Sequence, residues 1–317
     1  MMKQRRFLAI IIALVCVGVG YAQQFETFKP VPTELRTPAE KQGKVETFLY
    51  TVKIDGKKVT KHARVYVPYG YDKNDKSTRY NVVYLIHGGG DNSTSFFADP
   101  RSPLPLTNVL DHLIASGKMK PLLVVTPTFY VDDENIGANR MEDATRQTRD
   151  FHLELEKYLI PSVEKAYNTY FKGKGSKAVS ASREHRAFGG FSMGSLCTWY
   201  QLLYGVNAVS RFIPLSGDLW LFDADGTKKD MTYAAKYLND QLAATPYANS
   251  FKVYAYTGTD DIAYQPETSL IQALCANAPL FHYGENGNLT FSVKTGGKHY
   301  YGDINEYLYV ALPKLWQ

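Results

Sequence analysis

From Tyr80 onward the chain alternates short apolar runs with longer stretches of helical spacing. The runs at 80–86 (YNVVYLI), 121–128, 186–191, 211–216, 251–256 and 289–294 are too short for helices and predict strands. Helical spacing covers 106–117, 193–205, 231–244, 266–277 and 303–316, and a longer segment over 148–168 that Pro161 interrupts. Nearly continuous apolar strands separated by helices predict an α/β fold. Its mostly parallel central sheet has helices on both faces. Upstream, residues 48–68 form two alternating runs around Asp55-Gly56, the pattern of a β-hairpin that would supply antiparallel edge strands. Residues 23–44 show no period and are rich in Pro, Thr, Lys and Gln, so they read as an N-terminal strap or linker. One domain is expected over 45–317, with no internal repeat.

The first residues change the picture of where the protein works. Lys3, Arg5 and Arg6 precede an apolar run from Phe7 to Val19, and Gly20-Tyr21-Ala22 offers small residues for cleavage. This is the layout of a secretory signal peptide over 1–22, which places the mature chain in the periplasm or outside the cell, with no membrane attachment after cleavage. The full chain of 317 residues carries a formal charge of +5, and loss of Lys3, Arg5 and Arg6 leaves +2. No basic run remains to suggest a nucleic-acid partner. Cys197 and Cys275 fall in helical stretches and read as two buried thiols rather than a disulfide. No spacing suits a metal, and the acidic stretch 131–135 (VDDEN) reads as a solvated loop. The 24 tyrosines suit a surface that binds sugars or aromatic groups, although many will pack semi-buried.

In such a sheet, loops leaving the C-terminal strand ends gather on one rim, where ligands bind. Gly190-Phe191-Ser192-Met193-Gly194 follows the strand 186–191 and opens a helix, which is the G-x-S-x-G elbow that exposes a nucleophilic serine. A base must take the proton of Ser192. His282 precedes the strand 289–294 and belongs to the opposite rim, whereas His299 follows it in a loop with Gly296 and Gly297. An acid must orient the base. Asp260 and Asp261 follow the strand 251–256, and Asp218 follows 211–216. His87-Gly88-Gly89-Gly90 follows the strand 80–86 and supplies bare N–H groups for an oxyanion, with Gly89 and the Met193 N–H as the expected donors.

The segments YNVVYLIHGGGDN, SREHRAFGGFSMGS, YTGTDD and TGGKHYYGDINEYL resemble the "Putative esterase" family of α/β-hydrolases, and within it the feruloyl esterases of carbohydrate esterase family 1. The resemblance runs from about Val45 to the C-terminus. It implies an α/β-hydrolase fold, no cofactor, and a serine esterase with Ser192, Asp261 and His299 as the catalytic set. Its Gly-Thr-Asn-Asp-like segment maps to Gly258-Thr259-Asp260-Asp261, with Asp replacing Asn, and points to Asp261 as the acid. It also implies a feruloylated plant cell-wall polysaccharide or oligosaccharide as substrate, with acetylated xylan as the alternative. Acyltransferases also belong to the family, and a non-catalytic carbohydrate-binding relative would lack the intact set. Phe129, Tyr130, Trp220 and Tyr264 follow strand ends and are expected to wall an aromatic acyl group.

Overall fold

The computed structural model describes residues 25–54, 56–99, 102–131 and 141–317. The proposed signal segment lies outside them, as does all but the first residue of 131–135. Among the described residues one sheet holds nine strands: β1 (Glu26–Thr27), β2 (Lys44–Ile54), β3 (Lys57–Val67), β4 (Val82–Ile86), β5 (Leu123–Thr126), β6 (Arg186–Phe191), β7 (Arg211–Leu215), β8 (Lys252–Gly258) and β9 (Leu289–Lys294). Their order is β1-β9-β8-β7-β6-β4-β5-β3-β2. All neighbours from β1 to β5 run parallel, while β3 is antiparallel to β5 and β2 to β3. The helices are α1 (Ser95–Ala98), α2 (Leu106–Ala115), α3 (Met141–Glu154), α4 (Ile160–Ala166), α5 (Gly175–Ala181), α6 (Met193–Gly205), α7 (Met231–Ala243), α8 (Tyr264–Asn277) and α9 (Tyr301–Ala311). The fold is that of an α/β-hydrolase. No helix among the described residues is long and apolar enough to cross a membrane.

Burial explains the strand patterns. Every residue of β4 and β6 is buried, because helices cover both faces of the parallel sheet. The period-2 alternation sends Tyr84 and Ile86 to one apolar cluster with α6, α7 and α8, and Val83 and Leu85 to the other with α2 and α9. In the hairpin, Tyr50 and Val52 are buried between exposed neighbours. Gly56 at its turn has φ +81°, a conformation open to glycine.

Three local features depart from expectation. The strap is not featureless: β1 pairs in parallel with β9, and Phe28 packs edge-on against Tyr307 at 5.4 Å. The helix over 148–168 does not break at Pro161. A π-helical turn over Leu155–Leu159 precedes it, and Pro161 sits in the first turn of α4. The wider turn carries the helix past the residue that has no N–H to donate. Finally, Cys275 is only half-buried, whereas Cys197 is buried.

At the rim opposite the strand C-termini, Arg186 is fully buried and pairs with Glu164 through Nε at 2.6 Å and Nη2 at 2.9 Å. Its Nη1 donates to the carbonyls of Val179 and Ala208, and Tyr84 Oη donates to Glu164. This network ties β6 and β4 to α4 and α5, and anchors the strand that leads to Ser192.

Candidate active site

Ser192 stands between β6 and α6 with φ 57° and ψ −114°, a conformation that is strained for any residue but glycine. Its neighbours make room for it. A Cβ on Gly190 would lie 2.5 Å from the Gly194 carbonyl oxygen, and one on Gly194 would lie 2.1 Å from that of Ile86. Only glycine fits at both places. The Ser192 N–H donates to the Leu215 carbonyl at 3.0 Å, and its carbonyl accepts from Leu196, so the turn is held on both sides.

His299 Nε2 lies 2.9 Å from Ser192 Oγ, and its Nδ1 lies 2.7 Å from Asp261 Oδ1. The carboxylate can only accept, so Nδ1 carries the hydrogen and Ser192 donates to Nε2. Asp261 Oδ1 also accepts from the Ala263 N–H at 2.8 Å, and the Asp261 side chain is fully buried. Two glycines bring base and acid together. A Cβ on Gly258 would lie 2.2 Å from the Gly297 carbonyl oxygen, so the loops after β8 and β9 meet backbone to backbone. The Asp260 N–H donates to that same Gly297 carbonyl at 3.0 Å.

The rival acids are engaged elsewhere. Asp260 is exposed and accepts from Thr259 Oγ1 at 3.1 Å. Asp218 accepts from Trp220 Nε1 and from Lys228 Nζ, both at 2.8 Å. His282 is exposed and lies ahead of β9, lining a separate surface cavity with Asn288.

The glycine loop is ordered from beneath. His87 is buried, with Nδ1 2.7 Å from the Gly88 carbonyl and Nε2 2.8 Å from Thr128 Oγ1. The carbonyl only accepts, so His87 holds its proton on Nδ1 and takes the Thr128 hydroxyl hydrogen on Nε2. The Gly88 N–H donates to Tyr301 Oη at 3.2 Å and the Gly90 N–H to Tyr130 Oη at 2.9 Å. Among the described residues no acceptor takes the N–H of Gly89. Gly89 packs on Met193, which a Cβ at Gly89 would meet at 3.1 Å, and both residues line the cleft beside Ser192.

That cleft has a volume of about 400 Å³. Tyr130, Leu196, Trp220, Ile262 and Pro266 form much of its wall. Two of the four expected aromatic wall residues are therefore present, Tyr130 and Trp220. Phe129 is not: it is buried with its ring stacked on His87 at 4.7 Å, where it supports the glycine loop and lines a different cavity with Val52 and Phe151. Tyr264 is not a lining residue either. It is the first residue of α8, and the helical twist turns it away from the face on which Ala263 and Pro266 reach the cleft.

Two residues that sequence reasoning missed, Ser216 and Glu267, stand around this set, and Tyr301 lies beside it. Ser216, at the end of β7, is the second non-glycine residue with positive φ, 56°. Its Oγ is buried without a partner, and the residue lines the cleft. Tyr301, which follows His299 by two residues, lies fully buried, donating to Asp91 Oδ2 and packing edge-on against Phe191 at 5.0 Å. Phe191 in turn touches the His299 ring at 4.5 Å. Glu267 is fully buried on α8. Its Oε2 accepts from the Gly217 N–H at 3.2 Å. Burial first, and then the Asp261 carboxylate, push the Glu267 carboxyl well above the usual carboxylate range, which favours the protonated acid. Glu267 follows Asp261 in the sequence with five residues between them, but nothing local marks that glutamate as buried.

Comparison with known proteins identifies the family of the chain. The chain is 38% identical over 289 residues to endo-1,4-beta-xylanase Y of Acetivibrio thermocellus, covering 90% of this chain and 24% of that protein. It is 34% identical over 158 residues to an endo-1,4-beta-xylanase/feruloyl esterase of Xylanibacter ruminicola, covering 49% of this chain and 19% of that protein. The chain thus spans a quarter or less of the curated relatives it matches. Among solved structures, a mutant of the feruloyl esterase module from Clostridium thermocellum in complex with sinapinate superposes with a TM-score of 0.77 at 35% identity, covering 92% of this chain and 94% of that one. A ferulic acid esterase from Anaeromyces mucronatus, at 18% identity and a TM-score of 0.67, shares the fold. The family model described as "Putative esterase" matches residues 58–284. The chain is a member of that family and has the α/β-hydrolase fold.

Proposed function

We propose that the protein is a serine esterase that releases hydroxycinnamate, such as ferulate, from plant cell-wall polysaccharide. The observation that carries this reading is the hydrogen-bonded series Asp261, His299, Ser192 opening on a largely apolar cleft of about 400 Å³. Such a volume accommodates a phenylpropenoyl group and is far larger than an acetyl group needs. The relatives whose names include feruloyl esterase add support.

Ser192 Oγ attacks the ester carbonyl carbon while His299 Nε2 takes its proton. The oxyanion that develops is met by the N–H groups of Gly89 and Met193 at the positive end of α6. His299 then gives the proton to the leaving sugar oxygen, the C–O bond breaks, and a feruloyl-Ser192 ester remains. Water, deprotonated by His299, hydrolyses that ester and restores Ser192. Asp261 accepts from Nδ1 throughout, holding the tautomer and balancing the imidazolium. Tyr130 and Trp220 are the residues assigned to the acyl wall. Every group needed for this cycle belongs to the chain, and no cofactor takes part. The basic residues and apolar run before Ala22 support export, with action outside the cytoplasm.

The test is kcat/KM for methyl ferulate against 4-nitrophenyl acetate. Methyl ferulate should be the better substrate when each rate is scaled to the uncatalysed hydrolysis of its own ester. A strong preference for acetate after that scaling replaces this reading with a short-acyl carbohydrate esterase.

A further inference from the structure

A second, larger concavity adjoins the cleft. It has a volume of about 990 Å³, and Trp220 lines both. We propose that this groove binds the sugar chain that carries the ester, seating neutral sugar rings on exposed aromatic faces. The proposal rests on the feruloyl-ester reading above.

The walls are built from aromatic residues in register. On α6 Tyr204 offers an exposed face, backed one turn earlier by the buried Tyr200 with rings 6.2 Å apart and 18° from parallel. Tyr233 and Tyr237 repeat the arrangement on α7, at 6.0 Å and 9°. Phe222 lines the same groove, and the local backbone fixes its exposure. Residues 222 and 228 pair in an antiparallel bridge, and the Asp223 and Lys229 N–H groups donate to the Thr227 and Leu221 carbonyls. A small hairpin therefore presents a phenylalanine that remains 46% exposed.

Isolated exposed apolar side chains are ordinary, but a cluster beside a catalytic cleft is not. Among the described residues ten large hydrophobic side chains are exposed; Tyr204, Phe222 and Tyr233 line this groove, and Ile262 lines the cleft. The groove's rim carries Arg146, Arg149 and Lys228. Arg149 pairs with Asp150 at 2.9 Å and Lys228 with Asp218 at 2.8 Å, so the positive charge is largely balanced. Flat apolar faces edged by balanced hydrogen-bonding groups match a neutral sugar, whose C–H faces are apolar and whose hydroxyls ring the edge. A polyanion would need an excess of unpaired cations. Binding energy gained on remote sugars can be used at the reacting ester, so a longer glycan should be the better substrate.

The experiment compares the parent with the double variant Phe222→Ala/Tyr233→Ala, both sites being exposed enough to spare the fold. Substrates are methyl ferulate and a feruloylated arabinoxylan oligosaccharide. Loss of two stacking faces should lower kcat/KM for the oligosaccharide about tenfold or more, with methyl ferulate within about twofold. An equal change in both substrates, or none in either, overturns the groove. Binding of the acyl-free arabinoxylan oligosaccharide to a Ser192→Ala protein, measured by calorimetry, gives an independent reading. It should be present, and should vanish in the triple variant. Absence of binding, or binding that survives, refutes the proposal even if the parent fails to hydrolyse methyl ferulate, a failure that would count against the acyl reading alone.

Discussion

Replacing Asp261 by asparagine isolates what the acid contributes, and the structure fixes how large that contribution is. In many serine hydrolases such a change presents an amide N–H₂ to the histidine and forces the wrong tautomer. Here the Ala263 N–H donates to the same oxygen, Oδ1, that accepts from His299 Nδ1. A flipped amide would set its N–H₂ against two donors at once. The asparagine oxygen therefore stays on Oδ1 and the tautomer survives. What is lost is the charge that balances the imidazolium. At about 4 Å between charge centres and an effective dielectric constant of about 20, that attraction is about 4 kcal/mol, or about 10³-fold in kcat. The loss should fall short of the ~10⁴-fold found where the tautomer is also disturbed. Asp260→Asn should remain within about tenfold, because that exposed carboxylate accepts only from its neighbour Thr259. The assay is kcat for methyl ferulate at neutral pH on variants of unchanged Tm. A severe Asp260→Asn with a mild Asp261→Asn refutes the assignment. A loss well beyond 10⁴ in Asp261→Asn refutes the argument about Ala263.

Further expectations follow from the same geometry. Gly258→Ala would press a methyl group into the Gly297 backbone and part the loops that carry acid and base; an ångström of displacement there should cost about 10²-fold in kcat, read below the variant's own Tm. Arg186→Ala leaves Glu164 buried without its partner and should destabilise the fold by about 3–5 kcal/mol in chemical denaturation, whereas an exposed arginine such as Arg146 should be worth less than about 1 kcal/mol. Glu267 has a folded-state carboxyl raised above its unfolded value, so its contribution to stability is fully present below the unfolded value of ~4.3 and is lost as the pH rises beyond it. Glu267→Gln removes that loss, and the Tm difference, variant minus parent, should grow from near zero at pH 4 to positive at pH 7; a difference that does not vary with pH contradicts a neutral Glu267. Trp220→Ala should lower kcat/KM for methyl ferulate about tenfold relative to 4-nitrophenyl acetate, and an unchanged ratio in a folded variant removes Trp220 from the acyl wall.

The parts of this molecule that could be read from sequence are those fixed by local rules. The bounds of β6, β9 and α6 follow from apolar runs that stop at a glycine, a charge or a turn, and they coincide with expectation. The placement of Ser192 and His299 on one rim follows from which side of a strand each lies. The features that escaped depend on contacts between distant segments. β1 is two residues long and exists because β9 offers an edge. Phe129 and Tyr130 are adjacent in sequence, yet one supports His87 and the other walls the cleft, a division set by the packing of the glycine loop. Choosing Asp261 over Asp260 needed the family likeness, because adjacent aspartates on a loop differ only in the direction each side chain takes. Ser216 carries no signal at all: its positive φ is imposed by the neighbouring β6 elbow and β8, whose Tyr256 carbonyl accepts its N–H.

The central claim is that a hydroxycinnamoyl group passes through Ser192. It is tested most directly by mixing the enzyme with excess methyl ferulate, quenching in acid during turnover, and mapping the modified peptide by mass spectrometry. The account predicts one feruloyl group in ester linkage on Ser192, absent when Ser192→Ala is treated in the same way. Turnover of methyl ferulate with the feruloyl group on another residue, or undiminished in the Ser192→Ala protein, would contradict it.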